Sequence, residues 1–223
     1  LRLGRRLMDC RELTVFFSKS DMNLARRDEL PAIQRSCFEL FPDELRIGSL
    51  DNMTASARRR EFSKYALFPS ADYENRFEER CEWVLRFVGK ADLVVFSGSD
   101  LSQNYLEVSY LRSLMKPGAS SRFLSLHCVD EIGGREISRW VYESEETALP
   151  LVPQWDDVVS SGGVVRIIRD GVLRSLQPTD CDCEIEAAAG DTAQERAARV
   201  WLANGRVLPY WFLLKRATEI LAK

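Results

Sequence analysis

Ala91-Asp92-Leu93-Val94-Val95-Phe96-Ser97-Gly98-Ser99-Asp100 decides the fold. Ala91–Phe96 reads as a buried strand, with its β-branched and aromatic run at Leu93–Phe96, the pattern of a strand buried on both faces. The residues after it are small, hydroxylated and acidic. Residues 101–116 then read as an amphipathic helix that Pro117-Gly118 ends. A buried strand that turns through small residues into a helix is the repeating unit of a parallel α/β sheet.

The same unit recurs on both sides. Upstream, residues 72–89 predict a helix with Phe77, Cys81, Val84, Leu85 and Val88 on one face, and Gly89 as its stop. Leu13–Phe17 reads as a first strand, and Ser18-Lys19-Ser20-Asp21 offers caps for a helix through about Arg27. Ser36–Phe41 reads as a second strand ended by Pro42, followed by an acidic loop, Asp43–Asn52, and a helix over 54–66. Downstream, Arg122–Cys128 reads as a further strand. The prediction is an α/β protein with a Rossmann-like domain over 1–150, its parallel sheet covered by helices on both faces. Ligands of such sheets bind beyond the carboxyl ends of the strands, near a topological switch point. The loops at Ser18–Asp21, Asp43–Asn52 and Ser97–Asn104 would all lie there, with His127 on the same edge.

After about residue 150 the pattern changes. Leu149-Pro150-Leu151-Val152-Pro153 reads as a linker. Val164–Arg169, Asp170-Gly171 and Val172–Leu176 carry the signature of a β-hairpin with a type I′ turn. Helices are expected over about 191–203 and 208–222, with Pro209 acceptable at the start of the last. This predicts a second, small α+β domain of a hairpin plus helices over 151–223.

Composition narrows the function classes. The chain has 223 residues, 45% hydrophobic and 29% charged, with net charge −3. That suits a globular protein with a real core. No run approaches the roughly 20 apolar residues of a membrane span. Arg2, Arg5 and Arg6 precede no apolar stretch, which argues against a secretory signal, and Met8 reads as a candidate start with residues 1–7 upstream of it. No membrane partner is expected. Nucleic acid is not an expected partner either, because no basic face is dense enough to neutralise many phosphates. Arg58-Arg59-Arg60 reads as a solvated helix face ahead of a phosphate clamp. Cys37, Cys81 and Cys128 lie inside apolar patterns, where a thiol acts as a small hydrophobe. Cys181 and Cys183 lack the C-x-x-C spacing of a zinc or redox pair. A reducing cytoplasm is the simplest setting. A single histidine, His127, rules out a multi-histidine metal centre, and no metal site is predicted.

Neither G-x-G-x-x-G nor G-x-x-x-x-G-K-[ST] occurs, and no cofactor is named by the sequence. Ser18, Lys19 and Ser20 either cap a helix or offer hydroxyls, a cation and helix N-terminal amides to an anion. Asp43 and Glu44 are adjacent carboxylates and Asp51 follows. They suit a general base, a ribose-like hydroxyl or a hydrated magnesium ion, or else form only a solvated acidic loop. Gly48 would permit a strained turn between them. Ser97, Gly98, Ser99, Gln103 and Asn104 form a small-residue turn that allows close ligand approach, with Glu107 further along the helix. Trp155, Trp201 and Trp211, with Tyr210 and Phe212, read as core or as a docking face.

With these motifs the chain resembles the bacterial family called domain of unknown function 1835, often followed by a second small domain. Asp43-Glu44-Leu45-Arg46-Ile47-Gly48-Ser49-Leu50 is similar to that family's D-D-L-x-x-G-P-L-like loop, with Ser49 in place of proline. Phe96-Ser97-Gly98, then Gln103-Asn104 and the helix through Met115, resemble its strand ending W-x-G. In the opening loop Phe17 and Ser20 are kept, and Ser18 and Lys19 stand where the family has a glycine and an acid. The hairpin with Leu173-Arg174 and the ending Phe212–Leu221, including Arg216, look like the second domain. The resemblance implies the two-domain architecture and carries no assigned activity.

Two functional expectations result. In the first, the α/β domain binds a small polar or nucleotide-like ligand at its strand ends. Any catalysis would be carboxylate-based hydrolysis or transfer. Asp43 or Glu44 would serve as base or metal holder, Ser97 and Ser99 would orient the substrate, and Lys19 would offset negative charge. In the second, the chain is a non-enzymatic interaction or regulatory protein whose aromatic C-terminal helices meet a protein partner.

Overall fold

The computed structural model describes residues 11–30, 36–99, 101–132, 135–143, 152–169 and 171–222, with backbone alone at 101–102, 127–132, 135–138 and 143. The chain is α/β, as expected. It divides into two compact units that are not its linear halves. One comprises residues 1–42 and 79–152, the other 43–78 and 153–223. The excursion after Pro42 therefore belongs with the C-terminal segment.

The first unit is a five-stranded sheet in the order β2-β1-β3-β4-β5. Its strands are β1 (Glu12–Phe16), β2 (Cys37–Leu40), β3 (Leu93–Gly98), β4 (Ser120–Ile132) and β5 (Arg135–Glu143). β1 pairs in parallel with β2 and β3, and β3 with β4. β5 closes the edge antiparallel to β4, with a bulge between Cys128 and Asp130. Leu13, Val15, Phe16, Val94, Val95, Phe96, Phe123 and Leu124 are all buried. Each such side chain contributes about 1.5–3 kcal/mol of transfer free energy. Central strands of a parallel sheet are covered on both faces, so β3 needs an unbroken apolar run rather than an alternating one.

Helix α1 (Lys19–Arg27) starts at Ser18, whose Oγ accepts from the Asp21 amide at 3.4 Å. Asp21 in its first turn and Arg26 and Arg27 in its last complement the helix dipole. Met22 and Ala25 are its buried apolar residues, and Arg26 stacks over the Phe38 ring of β2. The indole of Trp140 on β5 lies edge-on to Phe16 and donates to Asp28 at 3.3 Å. Cys37 is disulfide-bonded, which corrects its reading as a free apolar thiol.

The second unit contains the hairpin β6 (Val165–Arg169) and β7 (Val172–Leu176). Asp170 lies outside the described residues, and Gly171 has φ +74°. Its helices are α2 (Ala55–Tyr65), α3 (Ala71–Asn75), α6 (Trp155–Ser160), α7 (Asp182–Ala187), α8 (Ala193–Ala203) and α9 (Tyr210–Leu221). The elements between are α4 (Phe77–Val88), which carries the chain back into the first unit, and α5 (Tyr105–Ser113) of that unit. The single helix expected over 72–89 is thus two. Arg76 caps α3 at φ −102°, ψ 4°, and the chain restarts at Phe77. Leu45–Ile47 and the hairpin join through the Ile47–Val165 bridge. The Gly48 amide donates to Val164 O at 2.7 Å and the Arg166 amide to Arg46 O at 2.7 Å. Phe62 stacks on Phe68 and tilts against Phe77, with centroids 4.7 and 5.9 Å apart.

No described helix is long and apolar enough to cross a membrane. Burial and the acids Asp180, Asp182 and Glu184 push the Cys181 thiol up to about 11, so it stays protonated and unreactive at neutral pH.

Candidate functional site

The strand order identifies the edge where a ligand would meet the first unit. The chain runs from β1 outward to β2, then returns past β1 to β3. That reversal makes β1/β3 the switch point. Phe16 is level with Leu40 on one side and Ser97 on the other. The loops leaving β1 and β3 at this level are Ser18–Asp21 and the turn from Gly98 to the 3₁₀ segment Leu101–Asn104.

One carboxylate ties these loops together. Asp21 is 7% exposed, and its Oδ2 accepts from the Ser99 amide at 2.9 Å and from the Ser99 hydroxyl at 3.1 Å. Asp21 was expected within the Ser18–Asp21 loop, as capping or anion-binding sequence, but not as a partner of Ser99; that link spans 78 residues, so no local pattern announces it. Lys19 and Ser20 are exposed on the first turn of α1, and Ser18 caps it. Ser97 is buried and donates its hydroxyl to Leu124 O at 3.2 Å, so it braces β3 against β4. Gly98 is buried at the strand end, while Gln103 and Asn104 are half-buried. Glu107 is buried within α5. Asp100 and the side chains of Ser102 and His127 lie outside the described residues. The backbone of His127 pairs with Arg139.

Asp43, Glu44 and Gly48 do not share this unit; they belong to the second. There both carboxylates meet arginines. Asp43 is 5% exposed and Arg58 is 1% exposed. Arg58 Nε donates to Asp43 Oδ2 at 2.8 Å and Nη2 to Oδ1 at 3.1 Å, a bidentate pair that engages both carboxylate oxygens. The same guanidinium donates to Ile47 O at 2.7 Å and to Ser49 O. It therefore holds the whole Asp43–Ser49 turn from inside. Glu44 accepts from Arg46, which also donates to Val207 O at 2.9 Å. Freeing Asp43 to act as a base would mean breaking a buried ion pair, at about 3–5 kcal/mol.

Gly48 sits at φ +79°, and a Cβ there would stand 2.8 Å from Glu61 Cβ. Its role is backbone geometry, since Ser49 N donates to Glu61 Oε2 at 2.9 Å just beyond. Arg166 donates to Gly48 O at 2.7 Å and to Gly163 O at 3.1 Å. Burial first, and then the nearby Arg58 charge, push its guanidinium down to about 10.

The Arg58–Arg60 run splits by helix position. Arg58 is buried three residues after Ala55 and four before Phe62, so it does not lie on a solvated face. Arg59 pairs with Glu74 and Glu78, and Arg60 is exposed. The aromatics of the C-terminal helices pack on one another. Tyr210 is edge-on to both Trp201 and Trp211, with centroids 5.8 and 5.2 Å away. Among the described residues, no group of three or more His, Cys, Asp or Glu is placed to hold a metal ion.

No protein-family model, curated protein or solved structure matches the chain.

Proposed function

We propose that the first unit binds a small polar, nucleotide-like ligand at the carboxyl ends of β1 and β3. The support is topological. The strand order reverses between β1 and β3, and the loops leaving those two strands carry Ser18, Lys19, Ser20, Gly98, Ser99, Gln103 and Asn104. No catalytic step is assigned, because the two carboxylates first suspected of one are engaged in ion pairs of the second unit. The short motifs at Asp43–Leu50 and Phe96–Gly98 keep the chain beside the domain of unknown function 1835 in this reading.

The test is thermal unfolding of the purified chain against nucleosides, nucleotides, sugars and sugar phosphates. A ligand at a hundredfold excess over Kd stabilises by about 2.7 kcal/mol. That is a Tm rise of roughly 5–11 °C for a chain of this length. A flat response across the panel overturns the proposal. It would favour the runner-up, a non-enzymatic interaction or regulatory protein. That alternative draws on the engaged carboxylates and on Leu202 of α8, which is 56% exposed.

A further inference from the structure

A site at a sheet switch point commonly receives phosphate on backbone amides and a helix N-terminus. In this chain the donors at the end of β3 are already engaged. The Ser99 amide and hydroxyl, which would face an anion at the end of β3, both donate to Asp21 Oδ2. Asp21 itself stands in the first turn of α1, where the helix dipole favours its negative charge. A carboxylate thus takes two of the donors that a phosphoryl group would use at this strand end.

The second oxygen, Oδ1, accepts no hydrogen bond among the described residues, yet it is not among the sealed, unpartnered atoms of the interior. A carboxylate oxygen is an acceptor only. Its natural complement is a hydroxyl or amine hydrogen from a ligand.

The other charged groups of these loops do not reverse the balance. Lys19 is exposed at the surface of α1, where water screens its charge. A phosphate brought within a few ångströms of Asp21 would meet like charge, which opposes its binding.

We infer that Asp21 makes the β1/β3 edge a site for an uncharged, hydroxyl-bearing ligand, of the nucleoside or free-sugar class, and bars the phosphorylated counterpart. Asp21 is the specificity-determining residue, with Ser99 holding its carboxylate in place. This inference rests on the proposed strand-end site and narrows what that site accepts.

The test uses matched probes on the full chain. Calorimetric titrations would compare adenosine with adenosine monophosphate, and ribose with ribose 5-phosphate, against the wild type, Asp21→Asn and Ser99→Ala. The wild type is expected to bind a nucleoside or sugar at least about tenfold more tightly than its phosphorylated partner. Asp21→Asn removes the charge and keeps the shape, so it should erase or invert that preference. Ser99→Ala keeps the charge and should keep the preference.

A wild type that prefers the phosphorylated member of each pair overturns the inference and leaves the strand-end site standing. A preference for the uncharged member that survives in folded Asp21→Asn also overturns it. If neither member of any pair binds, the site reading itself fails. The wild-type comparison decides the charge preference even if Asp21→Asn does not fold.

Discussion

Arg58→Ala is expected to cost the second unit about 3–5 kcal/mol, the loss typical of stranding one member of a buried ion pair. For a chain of this length that is a Tm decrease of roughly 6–20 °C. The reason lies in what the guanidinium holds. It engages both oxygens of Asp43 and the carbonyls of Ile47 and Ser49. Alanine would leave the Asp43 charge buried and those carbonyls without their donor. Arg58→Lys should rescue little, because an ammonium cannot reproduce the planar fork. Replacing both partners with apolar residues of similar size, Asp43→Leu with Arg58→Met, should recover much of the loss. Thermal and denaturant unfolding of the four proteins measures this. A loss below about 1 kcal/mol for Arg58→Ala would show the pair to be no more than a surface contact. The same geometry bears on enzymology. Asp43→Ala would lower activity of any kind by unfolding its unit, so lost turnover in that variant says nothing about a catalytic carboxylate.

Residues 153–223 expressed alone are expected to stay unfolded, a complete loss of structure rather than a shift. The fragment would keep the hairpin and the helices of the second unit from α6 onward. It would lose the stretch Arg46–Gly48, whose backbone pairs with Val164–Arg166, and the helix α2. Trp211 O would lose its bond from the Leu67 amide at 3.2 Å, and Lys215 Nζ its bonds to Ser63 O and Lys64 O at 2.6 and 2.9 Å. An isolated two-stranded hairpin with four short helices buries little apolar surface, and small domains are marginal on that count alone. Circular dichroism and amide dispersion would report the outcome. A cooperative unfolding transition for the fragment would contradict the discontinuous unit. Adding 43–78 through a short linker should restore such a transition.

The strands of the first unit were legible wherever an apolar run is continuous: Leu13–Phe17 and Ser36–Phe41 each correspond to a strand within a residue, and Ala91–Phe96 to β3 with both ends shifted by two. The hairpin at Val165–Leu176 was equally plain, because two β-rich runs flank an Asp-Gly pair. β5 was not expected. It is an edge strand paired on one side only, and Arg135, Glu136, Arg139 and Glu143 interrupt its pattern as charges do on strands exposed at an edge. The break at Arg76 was hidden because the apolar spacing of α4 begins at Phe77 and the helical pattern continues across it.

The solvated reading of Arg58 failed, and its ion pair with Asp43 was not foreseen, because their partnership is tertiary. A guanidinium and a carboxylate 15 residues apart look the same in sequence whether they meet in a core or face water. The membership of 43–78 in the second unit is of the same kind, since Gly48 and Val164 are brought together across the length of the sheet domain. Among the candidate residues, those placed by local chemistry were legible. Ser18 caps α1, Gly48 takes a positive φ, and Ser97, Gly98 and Ser99 end β3. Asp21 was not singled out as part of a site, because only the fold brings it to Ser99.

The most direct test of the strand-end site is an amide chemical-shift map of the isotopically labelled chain, titrated with adenosine. The account predicts saturable shifts concentrated at Ser18–Met22 and Ser97–Asn104, with the Ser99 amide among the largest because its acceptor would take on a second donor. Shifts that centre instead on α8 and α9, around Trp201 and Trp211, or no saturable shifts at all, would contradict it.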